Sequence, residues 1–211
     1  NVVIPFQWGG RLMAPYLTSF IQQFSNMGLN IVADGSSNDQ VEKALTSVET
    51  SSVTVAILPY APKEPSLIKK HLFSLDLKLY ASREYIAEYG EPQNIADLDN
   101  HKFVAFSQAK NQSFADLDWH LKLGRKDGEP RRPALRMSDP IYTATEGKGV
   151  GILTLGDKNI LLKDQKLVNI LPQIKGPTIN VYYAYSEHLR GVKAVKVFSE
   201  FLKDLLVKEF S

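Results

Sequence analysis

Apolar positions alternate between short strand-like runs and helical stripes from the first residue onward. Val2–Ile4 is a short apolar run, and the loop Pro5-Phe6-Gln7-Trp8-Gly9-Gly10 follows it. Met13, Leu17, Phe20, Ile21 and Phe24 then recur at helical spacing, and Gly28 supplies a stop. Pro15 is tolerated only in a first turn, so this helix cannot begin much before Leu12. A strand at Leu29–Ala33 and a turn at Asp34-Gly35 lead to a second helix. That helix starts at Ser36 or Ser37 and carries Val41, Ala44, Leu45 and Val48 on one face. Val53–Leu58 is continuously apolar, as a parallel strand buried on both faces reads. Strand–helix–strand–helix–strand predicts an α/β unit around a parallel sheet.

Further along, Phe73, Leu75, Leu77 and Leu79 alternate strictly and predict a strand with one buried face. Ser82–Tyr89, stopped by Gly90 and Pro92, reads as a short helix, and Phe103–Phe106 as a strand. Trp119, Leu121 and Leu123 alternate, as do Pro133, Leu135 and Met137, with Asp127-Gly128 between them, which predicts a β-hairpin. Asp139-Pro140 fits an N-cap and first helical position, opening a helix to about Gly147. Val150–Leu155 and Val181–Tyr185 read as strands, and Val195, Phe198, Leu202 and Leu205 form the stripe of a last helix. No internal repeat or low-complexity segment interrupts this order.

Composition narrows the function. The 211 residues suit one elaborate domain or two small subdomains. Hydrophobic residues at 44% and charged residues at 23% are globular values. Lys and Arg number 25 against 23 acidic residues, a net charge of +2, too even for a broad nucleic-acid surface. The absence of cysteine excludes disulfides, thiolate nucleophiles and cysteine-bound zinc. No apolar run approaches the ~18 residues of a membrane span. The chain opens as a strand without initiator Met or signal peptide, as a piece of a longer protein would.

Catalytic signatures are missing as well. His71, His101, His120 and His188 lie far from metal-ligand spacing of one another, and neither HExxH nor Gly-x-Ser-x-Gly occurs. Neither a catalytic residue, nor a metal ligand, nor a cofactor is expected. Gly147-Lys148-Gly149-Val150-Gly151 lacks P-loop spacing and reads as a helix end followed by a strand. The basic stretch from Arg125 to Arg132 is broken by Asp127 and Glu129 and reads as a solvated turn. Three helix starts carry more information: Gln7-Trp8-Gly9-Gly10, Ser36-Ser37 and Ser138-Asp139-Pro140. Unpaired backbone N–H groups there suit carboxylates, and in α/β sheets such loops lie at the carboxyl ends of strands. The same residues also serve as ordinary caps, since Ser37 with Gln40 fits a capping box and Asp139 is a common N-cap. Trp8 fits a core position equally well.

Several stretches together resemble one family. Arg11-Leu12-Met13-Ala14-Pro15-Tyr16-Leu17, after a strand and a Gly-containing loop, resembles the first helix of the effector-binding domain of LysR-type transcriptional regulators. Leu77–Gly90 resembles its strand-then-helix crossing, and Asn94-Ile95-Ala96-Asp97-Leu98 with His101 the next segment. Leu135-Arg136-Met137-Ser138-Asp139, Gly149-Val150-Gly151-Ile152 and the closing Val195–Leu206 helix complete a match in order along essentially the whole chain.

The resemblance implies a type II periplasmic-binding-protein-like α/β fold, two subdomains joined by two crossing strands. The crossings are expected near Leu77–Ser82 and Val181–Tyr185, dividing the chain into residues 1–80 plus 184–211 and residues 81–183. It implies an inducer cleft between the subdomains, with Gln7 and Ser37 at effector-contacting positions and Trp8 beside them. Ser36, Ser138 and Asp139 at helix starts, and Tyr60 and Phe106 at strand ends, complete the expected lining of a site for a small, carboxylate-bearing molecule. Gln7 is larger than the family's usual residue, Thr54 stands where Asp is usual, and a short insertion falls around Glu49–Ser52. It also implies a cytoplasmic protein that is not an enzyme, pairs as a homodimer or homotetramer, makes no use of a membrane, and binds DNA only through an N-terminal winged helix-turn-helix missing from these residues. Tyr16, Gln22, Gln23 and Asn26 on the first helix are candidates for the pairing edge. A solute-binding protein of the same fold is the alternative, and a deaminase-like or dehydratase-like enzyme a more distant one.

Overall fold

A computed structural model describes residues 1–5, 14–34, 38–47, 54–107, 112–125, 129–137, 149–157 and 166–210. The strands are β1 (Val2–Pro5), β2 (Ile31–Asp34), β3 (Val55–Leu58), β4 (Leu67–Ser82), β5 (Val104–Phe106), β6 (Leu135–Met137), β7 (Leu153–Gly156), β8 (Leu167–Ile170) and β9 (Thr178–Ser186). The α-helices are α1 (Ala14–Gln23), α2 (Asn38–Thr46), α3 (Arg83–Tyr89) and α4 (Lys193–Phe210), with 3-10 segments at Ala96–Asn100, Gln112–Leu121 and Glu187–Leu189. Among the described residues no helix is long and apolar enough to cross a membrane.

Two compact α/β units divide the chain, Asn1–Ser74 with Asn180–Ser211, and Leu75–Ile179. The backbone leaves the first unit inside β4 and returns inside β9, so two strands carry both crossings.

In the first unit, β1 lies between β2 and β3 and is parallel to both, while β9 runs antiparallel to β3. Strand alternation gives each face its own helices. Ala56, Leu58 and Ala184 pack with Val41 and Leu45 of α2. Tyr183, the neighbour of Ala184, meets Phe198 of α4 at 6.1 Å, and Phe198 meets Phe20 of α1 edge-on at 5.2 Å. Two stripe expectations need correction. Ile21 is 38% exposed, because Leu17 and Phe20 already fill the buried face of α1. In α2 it is Glu42 rather than Ala44 that turns inward.

In the second unit, β4 is flanked antiparallel by β7 and β8, and β5 pairs parallel with β6. Leu79, Ala81, Tyr85, Leu98, Phe103, Ala105, Leu121 and Ile152 make the core of this unit. Helix α3 begins where Ser82 Oγ accepts the Tyr85 N–H at 3.1 Å, and it ends at Gly90, whose φ is 80°. The expected hairpin is not formed. Gln112–Leu121 is a 3-10 segment, and β6 joins β5 in parallel. The burial explains the error: Leu117, His120 and Leu121 are all buried, a one-turn spacing hidden by the polar His120. Strand β8 and the 3-10 turns were not expected; Leu167–Ile170 is too short and mixed to show a period.

Candidate functional site

In each unit the parallel strands define a carboxyl-end face, the usual place for ligands in α/β sheets. Strand β3 ends at Leu58 and the chain turns at Tyr60, which is half-buried against the α2 cluster. Its hydroxyl donates to the Asn38 carbonyl at 3.4 Å, so the loop after β3 is tied to the start of α2. A second tie comes from Glu42, 7% exposed, whose Oε2 accepts the N–H groups of Lys63 at 3.0 Å and Glu64 at 2.8 Å. The carboxylate fixes this loop against α2 as a side-chain substitute for a turn.

In the second unit, β5 ends at Phe106, which is 6% exposed. Asp118 and Arg136 clamp its backbone. The Phe106 N–H donates to Asp118 Oδ1 at 3.0 Å, and Arg136 Nη1 donates both to the Phe106 carbonyl at 2.8 Å and to Asp118 Oδ2 at 2.7 Å. The next ladder bond, Ser107 N–H to the Met137 carbonyl at 2.8 Å, continues the β5–β6 pairing past Phe106. Beside the clamp lies His120, fully buried against Phe103, with Nε2 at 3.2 Å from the Val104 carbonyl. A carbonyl only accepts, so Nε2 carries the proton and Nδ1 is bare. Among the described residues Nδ1 has no hydrogen-bond partner, although the nearby Leu117 carbonyl favours the charged ring. Burial pushes this imidazole down to about 4, against an opposing pull from Asp118.

Of the sequence-derived site residues, Tyr60 and Phe106 therefore stand at strand ends, one in each unit. Gln7, Trp8, Ser36, Ser37, Ser138 and Asp139 lie outside the described residues, as does the expected helix after Asp139. Asp118, Arg136 and Glu42 were missed. The signal for Arg136 was present, a charged residue inside a short apolar strand, but its partner Asp118 is 18 positions away in a segment read as a strand.

The glycine and arginine motifs resolve as packing. Gly149 has φ 62° and lies against Ser82 and Tyr85, and a Cβ on Gly151 would stand 2.6 Å from the Lys102 carbonyl oxygen. Arg131 is not solvated: it is 8% exposed, bonds Asp99 at 2.7 Å and the Leu123 carbonyl at 2.6 Å, and lies over the Phe103 ring. Among the described residues no group of three or more His, Asp or Glu side chains would hold a metal. A groove of about 450 Å³ between α1 and α4, lined by Phe24, Val197, Phe201 and Leu205 with Glu200 and Asp204 beside them, belongs to the helical layer.

The family model for the LysR substrate binding domain matches residues 1–207. The chain belongs to the LysR substrate-binding domain family. Relatives of this LysR-type chain include the HTH-type transcriptional regulator CrgA of Neisseria meningitidis, 24% identical over 94% of the chain and 62% of the relative. The HTH-type transcriptional regulator DmlR of Escherichia coli is 22% identical over 100% of the chain and 66% of that protein. The chain thus spans about three-fifths to two-thirds of the length of these relatives. The solved CrgA regulatory domain superposes with a TM-score of 0.75 at 21% identity, covering 97% of both chains, and establishes the type II periplasmic-binding-protein-like fold. Full-length LysG from Corynebacterium glutamicum, described with bound effector Arg, superposes with a TM-score of 0.66 at 12% identity. The domain is an effector-binding domain of the LysR type, and its relatives are transcription regulators rather than periplasmic solute receptors.

Proposed function

We propose that this chain is the sensing and pairing part of a cytoplasmic, non-enzymatic transcription regulator, preceded in the intact protein by a winged helix-turn-helix that contacts DNA. The observation that carries this reading is the family match across residues 1–207, together with relatives such as CrgA and DmlR that are described as HTH-type regulators. Gln7, Trp8, Ser36, Ser37, Ser138 and Asp139, with Tyr60 and Phe106 as apolar walls, line the site for a small effector in this proposal. The bound effector of LysG supports a small-molecule ligand. No cofactor takes part. The reading divides the chain into residues 1–80 plus 184–211 and residues 81–183.

Pairing follows from the twofold DNA sites that such regulators read. Tyr16 does not belong to the pairing edge: at 8% exposure it is a core residue. Exposed Ile21, Gln22 and Gln23 on α1, with Asn26 just beyond it, remain available to a second copy. An effector changes DNA-head spacing only if it prefers one conformational state, since equal affinity shifts nothing.

Two measurements test the proposal. The intact gene product is footprinted on the promoter region of its own gene; a protected twofold site is expected, and no specific protection overturns regulation. Sedimentation of the 211-residue chain at high micromolar concentration is expected to show a dimer or tetramer. A strict monomer overturns pairing through this domain.

A further inference from the structure

Arg136 is more firmly held than a surface arginine and less fully used than a structural one. Its Nη1 is fixed twice, on the Phe106 carbonyl at 2.8 Å and on Asp118 Oδ2 at 2.7 Å. Asp118 is itself anchored, since its other oxygen accepts the Phe106 N–H. These bonds fix the guanidinium beside the last residue of β5, at the carboxyl end of the parallel β5–β6 pair. The Nε–Nη2 edge of the same group has no partner among the described residues. The side chain keeps 32% exposure while Asp118 keeps 22%.

Holding a half-buried charge pair in this way returns little stability, because desolvation offsets most of the attraction. Its distinctive product is an oriented planar donor. A guanidinium edge with two parallel N–H groups matches the two oxygens of a carboxylate, and a donor already fixed in place loses little freedom on binding. The carboxyl ends of parallel strands are where an α/β ligand is met.

We propose that Arg136 is the specificity-determining residue for a carboxylate on the effector, offering its Nε–Nη2 edge to both carboxylate oxygens while Asp118 acts as the positioning residue behind it. The proposal rests on the effector-sensing reading and adds the residue that would hold the expected carboxylate. The ligand binds as its anion.

The test titrates the purified chain, by calorimetry and thermal shift at constant ionic strength, with acetate, succinate and benzoate, their neutral amides, and inorganic phosphate and sulfate. At least one carboxylate is expected to bind about ten-fold more tightly than its amide and than either tetrahedral anion. Arg136→Gln is expected to erase that preference, and Arg136→Lys to keep anion binding while losing the discrimination between carboxylate and phosphate. Asp118→Asn is expected to weaken carboxylate binding less than Arg136→Gln does. If Arg136→Gln unfolds, Arg136→Lys alone decides, through the carboxylate-to-phosphate ratio. Equal binding of carboxylate and amide, an unchanged preference in Arg136→Lys, stronger binding of phosphate or sulfate, or no carboxylate binding at millimolar concentration each overturns the proposal. Those results leave the footprint untouched, so failure here and failure of the regulator reading are separately visible.

Discussion

Gly176 lies against the indole of Trp119 with no room for a side chain between them. A Cβ built on Gly176 would stand 2.6 Å from Trp119 Cε2 and Cζ2, and 2.6 Å from the Leu77 carbonyl oxygen. Neither neighbour is free to retreat. The Leu77 carbonyl already accepts the Gly176 N–H at 3.0 Å, the Leu77 N–H donates to the Pro177 carbonyl at 3.0 Å, and Trp119 Nε1 donates to Thr154 Oγ1 at 2.9 Å. Gly176→Ala is therefore expected to cost about 1–3 kcal/mol, the usual range for overpacking. Urea unfolding followed by tryptophan fluorescence reads it. A change below about 0.5 kcal/mol would mean that the indole swings aside.

Gly151, in the motif that superficially suggests a phosphate loop, makes the same kind of contact with the Lys102 carbonyl. Its absent side chain lets the Ile152 N–H reach the Lys102 carbonyl at 2.8 Å and the Val104 N–H reach the Ile152 carbonyl at 2.9 Å. Gly151→Ala would push on that backbone and is expected to destabilise by about 1–3 kcal/mol. Inorganic phosphate is expected to leave the melting temperature of the Arg136→Gln variant unchanged. A phosphate-dependent rise in that variant, lost in Gly151→Ala, would return the glycines to an anion-binding role.

The layers of the fold were legible because they rest on period. Leu17 and Phe20, Val55–Leu58, and Phe73 to Leu79 are buried as their spacing requires. What failed was local pattern without long-range partners. Trp119, Leu121 and Leu123 alternate by coincidence, and only the burial of Leu117 and His120 shows the helical turn. Residue type alone places Glu42, Arg131 and Arg136 outside. Each is drawn inward by a backbone group or carboxylate far away in sequence: Lys63 and Glu64 for Glu42, Asp99 for Arg131, Phe106 and Asp118 for Arg136. The clamp between Asp118 and Arg136 is not legible in the sequence, since an i to i+18 pair has no sequence period.

Glu42 makes a prediction separable from ligand binding. Removing its carboxylate leaves the Lys63 and Glu64 N–H groups without their acceptor at a part-buried site. An unsatisfied part-buried donor costs about 1–3 kcal/mol, so Glu42→Ala is expected to fall in or above that range. Glu42→Gln keeps an acceptor oxygen and should recover part of the loss. Limited proteolysis gives a local reading: cleavage between Tyr60 and Ser66 should accelerate in Glu42→Ala. Unchanged cleavage would show that Tyr60 and its bond to Asn38 hold the loop without help.

His120 fixes the direction of the acid response. Its folded value is held near 4, mainly by burial and against the pull of Asp118, while an unfolded histidine titrates near 6.5. Between these values the unfolded chain binds more protons than the folded one, so stability falls as the medium is acidified. The contribution is complete above about pH 6.5, declines as pH falls, and is lost below about pH 4, with a span of at most about 3 kcal/mol. His120→Gln retains a donor for the Val104 carbonyl and removes the titrating group. The variant is expected to lose the fall between pH 6.5 and 4, leaving only the carboxylate-driven loss at lower pH. Urea midpoints taken across that interval decide the matter. A wild-type curve that stays level there, or a His120→Gln curve that falls in parallel with it, would place the acid sensitivity in another group.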